Sequence, residues 1–142
     1  MCGIAGFLAA SRPQADATDA TLGAMLAAIA HRGPDDEGRW LGDGLVLGHR
    51  RLSIVDLSPL GHQPMLSRSG RYVIAFNGEI YNHARLRESL DVDFRGHSDT
   101  EVLLALIERH GLDGALERCL GMFAIALWDR QDRRLQLARD RF

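Results

Sequence analysis

Apolar residues recur along this chain in three rhythms, and the rhythms divide it into elements. Residues 4–8 form a short continuous apolar run, read as a buried strand. A polar loop over 11–16 carries Pro13. Leu22, Met25, Leu26 and Ile29 then fall at i, i+3, i+4 and i+7, which predicts a helix with one apolar face, its start capped by Thr18 or Asp19. Gly33 and Pro34 end it. Strand signals follow. Residues 39–41 and 45–48 flank Gly42-Asp43-Gly44, the turn chemistry of a hairpin, and 52–55 read as strand again. A loop rich in Pro, Gly and Ser covers 56–64. Residues 65–67 and 71–76 flank Arg68-Ser69-Gly70 as a second hairpin, whose second strand is expected to end on Asn77-Gly78, a pair that tolerates positive φ.

The second half is more helical. Asn82 is a candidate cap for a short helix over 83–90, and 92–95 reads as an edge strand. Ser98 and Glu101 stand at S-x-x-E spacing, a capping box that opens a helix over 99–110 with Val102, Leu103, Leu106 and Ile107 on its core face and Gly111 closing it. Another short helix is expected within 112–120. Residues 121–128 then form a central strand paired with 135–139 across Arg130-Gln131-Asp132-Arg133. Hairpin strands with helices between them predict an α+β fold with mainly antiparallel sheet. No internal repeat, low-complexity tract or linker interrupts the pattern. Arg139-Asp140-Arg141 reads as the exit of a strand, so the expectation is a fragment of a longer protein.

Composition narrows the function. A chain of 142 residues suits one domain, and 46% hydrophobic with 25% charged residues is ordinary for a soluble globular protein. A net charge of −2 offers no electrostatic case for nucleic acid or an anionic membrane. All 17 basic residues are arginine, which excludes a P-loop lysine, a Schiff-base lysine and a Ser-Lys dyad within the chain. The amino terminus lacks the pattern of a secretory signal, and the longest apolar run, residues 122–128, is too short to span a bilayer. The expectation is a cytoplasmic protein whose two cysteines, Cys2 and Cys119, are reduced.

Cys2 directly follows Met1. With Met1 removed, one residue carries a thiol of reference pKa about 8.5 and an α-amine of about 7.7–8.0, a nucleophile with its own general base. The alternative is a small buried hydrophobe in second position. Asn77-Gly78 at the end of an apolar strand offers a side-chain amide and a backbone N–H to a developing oxyanion, or else forms a plain turn. Arg51 stands within the apolar stretch 45–55, where burial would demand an anionic partner such as a substrate carboxylate; on a solvated face it would mean nothing. Asp99, in the first turn of its helix, either complements the helix dipole or holds an ammonium. His31, His49, His62, His83, His97 and His110 make no H-x-x-x-H or H-E-x-x-H pattern, so no metal is expected, and Asp35-Asp36-Glu37 lacks EF-hand spacing. Neither GxSxG nor GxGxxG occurs. Together, the thiol, donor pair, arginine and acids suit amide hydrolysis on a small zwitterion.

Seven motifs occur in order: Met1-Cys2-Gly3-Ile4, His31-Arg32-Gly33-Pro34-Asp35, Arg51-Leu52-Ser53-Ile54-Val55-Asp56, Asn77-Gly78-Glu79-Ile80-Tyr81-Asn82, Ser98-Asp99-Thr100-Glu101, Gly121-Met122-Phe123-Ala124 and Ala138-Arg139-Asp140-Arg141-Phe142. In this the whole chain resembles the glutaminase domain of glutamine-hydrolysing asparagine synthetases, class II glutamine amidotransferases of the N-terminal-nucleophile hydrolase superfamily. The resemblance implies a four-layer αββα sandwich with two stacked, mainly antiparallel sheets. It implies that Cys2 attacks the side-chain amide of L-glutamine with its α-amine as base, and that Asn77 and Gly78 form the oxyanion hole. It gives the α-carboxylate to Arg51, the α-ammonium to Glu79 and Asp99, and the pocket lining to the backbone of Leu52, Ser53, Ile54 and Val55. A γ-glutamyl thioester would form, and the ammonia would pass to a C-terminal synthetase domain. There, ATP and Mg would activate aspartate as β-aspartyl-AMP on the way to asparagine. That domain is missing here, and the glutaminase domain itself needs no cofactor and no metal. Partners would be L-glutamine and the synthetase domain, with a homodimer allowed and neither nucleic acid nor membrane. Two other readings stay open: the glutaminase of a different asparagine synthetase-like amidotransferase, and an inactive binding or assembly fragment if Met1 is retained.

Overall fold

In the computed structural model, which describes residues 2–8, 15–42 and 44–141 (for 15 and 16 the backbone only), the chain runs β1 (Gly3–Leu8), α1 (Ala15–Ala28), β2 (Asp36–Gly42), β3 (Leu45–Arg51), β4 (Met65–Leu66), β5 (Tyr72–Ile80), α2 (His83–Glu88), α3 (Asp99–Leu116), β6 (Gly121–Asp129) and β7 (Arg134–Arg139). Single 3₁₀ turns lie at Ala30–Arg32 and Pro59–Gly61. The strands form two antiparallel sheets, ordered β1-β3-β2 and β4-β5-β6-β7. Most of the predicted loop 11–16 and Asp43 of the first turn lie outside the described residues.

The period of two along β3 and β5 explains the stacking. Leu45 and Leu47 project from one face of β3 and pack with Val73, Ala75, Ala126 and Trp128 of the other sheet. Val46, on the opposite face of β3, packs with Leu22 and Leu26 of α1. Ile74 and Phe76 turn to the other face of β5, into a cluster with Leu103, Leu106 and Ile107 of α3. The order is therefore helix, sheet, sheet, helix. Each fully buried leucine in these layers contributes roughly 1.5–3 kcal/mol relative to an exposed one. The α+β architecture with two stacked antiparallel sheets, expected from the sequence, is the one observed.

Several local expectations differ. Helix α1 starts at Ala15, so neither Thr18 nor Asp19 caps it: Thr18 is buried within the helix, and the Asp19 carboxylate binds Arg39 Nη1 at 2.8 Å. Residues 52–55 are not a strand, because β3 ends at Arg51 and the chain turns there. Strand β5 does not stop at Asn77-Gly78 but continues to Ile80, paired with β6 throughout. Asn82 precedes α2 without capping it; its side chain donates to Arg118 O at 2.9 Å and accepts from Leu120 N at 2.9 Å, tying α2 to the entry of β6. Residues 92–95 form no strand.

At α3 the capping box is only half as expected. Ser98 Oγ accepts from Glu101 N at 3.2 Å, but the Glu101 carboxylate reaches past Ser98 to Arg95 N and Gly96 N, each at 2.9 Å. Gly111, at φ 72°, breaks the α3 ladder and lets Leu112 and Ala115 turn back onto the core, so the two expected helices meet at a kink.

Candidate active site

Arg51 is the last residue of β3, on the strand face that points to the second sheet, and it is only 8% exposed. Its guanidinium donates to Ser58 O at 2.9 Å and to Asp56 O, with Gly61 leaving room beside it. No carboxylate lies within ion-pair distance of it among the described residues. A buried cation satisfied only by carbonyls retains its charge for an incoming anion. The same bonds explain why 52–58 is a loop: the arginine gathers its carbonyls inward. Asp56 closes the loop from the other side, accepting from Ser58 N and His97 N, both at 2.8 Å. Burial pushes its carboxyl up, but the Ser58 hydroxyl, these two backbone hydrogen bonds and Arg51 together hold it below the usual range.

Cys2 stands immediately before β1. Arg32 Nε fixes its carbonyl at 3.0 Å, and its sulfur accepts from Leu52 N at 3.3 Å. The thiol thus meets the first residue of the arginine-organised loop.

Strand β5 supplies the third group, and its register decides which amides are available. Arg130 N bonds Arg71 O and Tyr81 N bonds Leu120 O, so the odd-numbered residues of β5 exchange hydrogen bonds with β6. The even-numbered ones point their backbone groups away from it. On that side β4 covers only Val73 and Ile74. Phe76 N–H goes to Gln63 Oε1 at 2.6 Å and Ile80 N–H to Asp99 Oδ2 at 3.0 Å. Gly78 lies between them, its N–H without a partner among the described residues. A Cβ here would sit 2.2 Å from Met122 O, so close strand approach also demands glycine. Asn77 and Glu79 share the β5 face of Val73 and Ala75, toward the first sheet.

Asp99, 5% exposed, takes Ile80 N–H and, through Oδ1, Thr100 N–H at 2.9 Å. Burial pushes its carboxyl above the ordinary value despite these bonds and despite His83 nearby, and among the described residues no arginine or histidine pairs with it. A ligand cation would reverse that penalty.

These groups meet in one cavity of about 410 Å³, a size suited to a small molecule. Cys2, Arg51, Leu52, Ile54, Val55, Asn77, Gly78, Glu79 and Asp99 all border it. Ser53 does not: its amide is drawn off to Asp35 Oδ2 at 2.8 Å. The sequence reading missed Gln63, Thr100, Phe123 and Asp140, which also line the cavity. Thr100, Phe123 and Asp140 lie inside three of the seven motifs without having been given a role; Gln63 sits in what reads as a plain loop. Among the described residues no three of His, Cys, Asp and Glu converge as metal ligands. Asp36 instead meets His62 Nδ1 at 2.7 Å, and Glu37 pairs with Arg39 and Arg50.

His49 underpins the same strand. It is fully buried, its Nε2 is 3.0 Å from Phe76 O, and burial holds its pKa down to about 4. The ring is therefore neutral, with Nε2 donating. Because the unfolded chain protonates first, near 6.5, stability is full above that pH and falls progressively toward pH 4, by roughly 3 kcal/mol in all. Urea midpoints measured from pH 7 to 4 should show this loss and should show less of it in His49→Gln.

A family profile described as "Glutamine amidotransferase domain" matches residues 1–142. The chain belongs to that family. Curated relatives agree with the assignment. The chain is 44% identical over 145 residues to "Asparagine synthetase [glutamine-hydrolyzing] 2" of Bacillus subtilis, with all of this chain and 19% of the relative covered. It is 41% identical over 154 residues to "Amidase chry2" of Gibberella zeae, covering 100% of this chain and 23% of the relative. It is 35% identical over 160 residues to "Putative asparagine synthetase [glutamine-hydrolyzing] 2" of Methanocaldococcus jannaschii, covering 99% and 30%. The amidotransferase domain thus spans less than a third of the length of the curated relatives it matches. No described helix is long and apolar enough to cross a membrane.

Proposed function

We propose that this amidotransferase domain hydrolyses L-glutamine to glutamate and ammonia at the cavity between Cys2, Arg51, Gly78 and Asp99. One observation carries the reading. A buried arginine without a carboxylate and a buried aspartate without a cation border one cavity with a thiol at its wall. A small zwitterion neutralises both, its carboxylate at Arg51 and its ammonium at Asp99 with Glu79 beside it. Its side chain then reaches toward the sulfur.

The positions support the following chemistry. With Met1 removed, the α-amine of Cys2 takes the thiol proton as Sγ attacks the δ-carbon of the amide. The developing oxyanion falls to the Asn77 side-chain amide and the Gly78 N–H, the one unpaired donor on that edge of β5. Collapse breaks the C–N bond, and the proton held by the amine leaves with nitrogen as ammonia. A γ-glutamyl thioester remains. Water, deprotonated by the same amine, attacks the thioester and releases glutamate and the thiol. Backbone around Leu52, Ile54 and Val55 shields the intermediate. The names of the relatives, and the small share of their length that this chain covers, support a further step in which the ammonia serves synthesis of asparagine by another domain. The name "amidase" of the Gibberella relative favours, as a second reading, a glutaminase serving a different acceptor.

The test pairs intact-mass measurement of the amino terminus with a glutaminase assay. Protein beginning at Cys2 should release glutamate and ammonia in equal amounts. Protein that keeps Met1 should release neither, since its α-amine is displaced by a residue. Activity with Met1 in place would overturn the mechanism.

A further inference from the structure

The unpaired edge of β5 carries a second message. Phe76, Gly78 and Ile80 all turn their amides to the same side, away from β6, and no strand meets them there. Two are taken by side chains: Phe76 N–H by Gln63 Oε1 at 2.6 Å, Ile80 N–H by Asp99 Oδ2 at 3.0 Å. Asp99 belongs to the glutamine site proposed above; Gln63 has no role in it. Yet Gln63 is 5% exposed, borders the cavity, and uses both ends of its amide. Its Nε2 donates to Thr100 Oγ1 at 3.3 Å, beside Asp99. His49 Nε2 holds the Phe76 carbonyl at 3.0 Å. Phe76 is therefore gripped at N–H by Gln63 and at C=O by His49, immediately before Asn77 and two residues before Gly78.

We propose that Gln63 is a positioning residue for the oxyanion hole: by clamping Phe76 and bracing against Thr100 it sets where Asn77 and the Gly78 amide stand relative to the thiol. The inference rests on the glutamine-hydrolase reading. The physical case is one of geometry. An oxyanion donor contributes only when aimed at where charge develops, and small displacements forfeit much of its effect. The ladder with β6 fixes this stretch on one side only; on the open side the two flanking side chains do what a neighbouring strand would. Asp99 must also meet the substrate ammonium, whereas Gln63 is free to serve the strand alone. A bare structural role would alter stability without discriminating between steps. A positioning role alters the step in which negative charge forms on the substrate oxygen.

The experiment compares Gln63→Met, which keeps the volume and removes both hydrogen bonds, with the Thr100→Val and Thr100→Ser pair in the intact protein starting at Cys2. Gln63→Met should lower kcat about 10- to 100-fold, part of what deleting an oxyanion donor outright costs, with KM within about threefold of the unmodified protein. A γ-aldehyde analogue of glutamine, whose adduct with Cys2 fills the oxyanion hole, should lose affinity in step with kcat. Alkylation of Cys2 by iodoacetamide, which needs no such hole, should proceed at the unmodified rate. That labelling is selective at neutral pH because burial, and then Asp99, hold the Cys119 thiol up to about 11. Thr100→Val should show a smaller defect of the same kind and Thr100→Ser should restore it, so the inference stays testable if Gln63→Met does not fold. It is overturned if kcat is unchanged, if KM rises instead, if the aldehyde binds undiminished while kcat falls, or if alkylation declines in parallel. An unmodified protein that releases no glutamate overturns the hydrolase reading itself.

Discussion

Cys2→Ala is expected to abolish release of glutamate and ammonia while leaving the fold in place. In the proposed mechanism the Cys2 sulfur, with the α-amine freed by loss of Met1, is the nucleophile, so its loss removes bond formation to the amide carbon. Deleting a nucleophile leaves only binding and donor effects, and the fall in kcat should be on the order of 10⁴-fold or more. Stability should change little. Cys2 is half-buried and its sulfur accepts one weak hydrogen bond, from Leu52 N at 3.3 Å. Thermal unfolding should therefore show a shift worth about 1 kcal/mol at most. Full turnover in this variant would sink the mechanism; lost turnover together with a collapsed melting transition would show that the residue's work is structural.

Arg51→Ala should give the second largest effect, and of a different kind. The guanidinium borders a cavity, is 8% exposed and has no carboxylate partner among the described residues, while two of its nitrogens hold carbonyls of the 52–58 loop. Removal takes away the counter-charge for a substrate carboxylate and frees the loop that touches Cys2. Loss of one partner of a buried charge pair costs about 2–5 kcal/mol, so KM for glutamine should rise on the order of 30-fold to 4,000-fold. Arg51→Lys should recover only part of this, because a single ammonium cannot reach two carbonyls and a ligand in the fork geometry of arginine. Steady-state kinetics of the two variants checks the prediction, and an unchanged KM in Arg51→Ala would remove the residue from substrate binding.

How much of this was readable in advance depends on what fixes each element. Elements held by their own sequence read well. The i, i+3, i+4, i+7 face of α1 gives the buried Leu22 and Leu26, and the strand runs at 72–76 and 121–128 lie where alternation and turn chemistry place them. Elements decided by distant partners did not. Residues 52–55 look like strand because Leu52, Ile54 and Val55 are apolar, but Arg51 ends β3 by gathering loop carbonyls that no local pattern reveals. Asn77-Gly78 looks like a turn; pairing with Met122, Phe123 and Ala124 draws the strand straight through it. Asn82 looks like a cap and instead joins chain segments 36 residues apart. In the cavity, the residues singled out were those with unusual chemistry for their surroundings. Gln63 escaped notice because a glutamine in a Pro- and Gly-rich loop is unremarkable until Phe76 is seen beside it.

An exposed strand edge ordinarily invites another chain to add itself as the next strand, which is how many sheet proteins aggregate. Between Phe76 and Ile80 that edge of β5 carries neither lysine nor proline and is met instead by Gln63 and by Asp99, the first residue of α3. Gln63 and Asp99 occupy every second donor, and the amide that remains is single and flanked, too little for an intruding backbone to form a ladder. In the proposed mechanism, the residues that leave one N–H for a substrate oxygen are thus the same ones that deny the edge to a foreign strand. Substitutions that loosen them would be felt as self-association as well as lost turnover, and selection against the first would preserve the second.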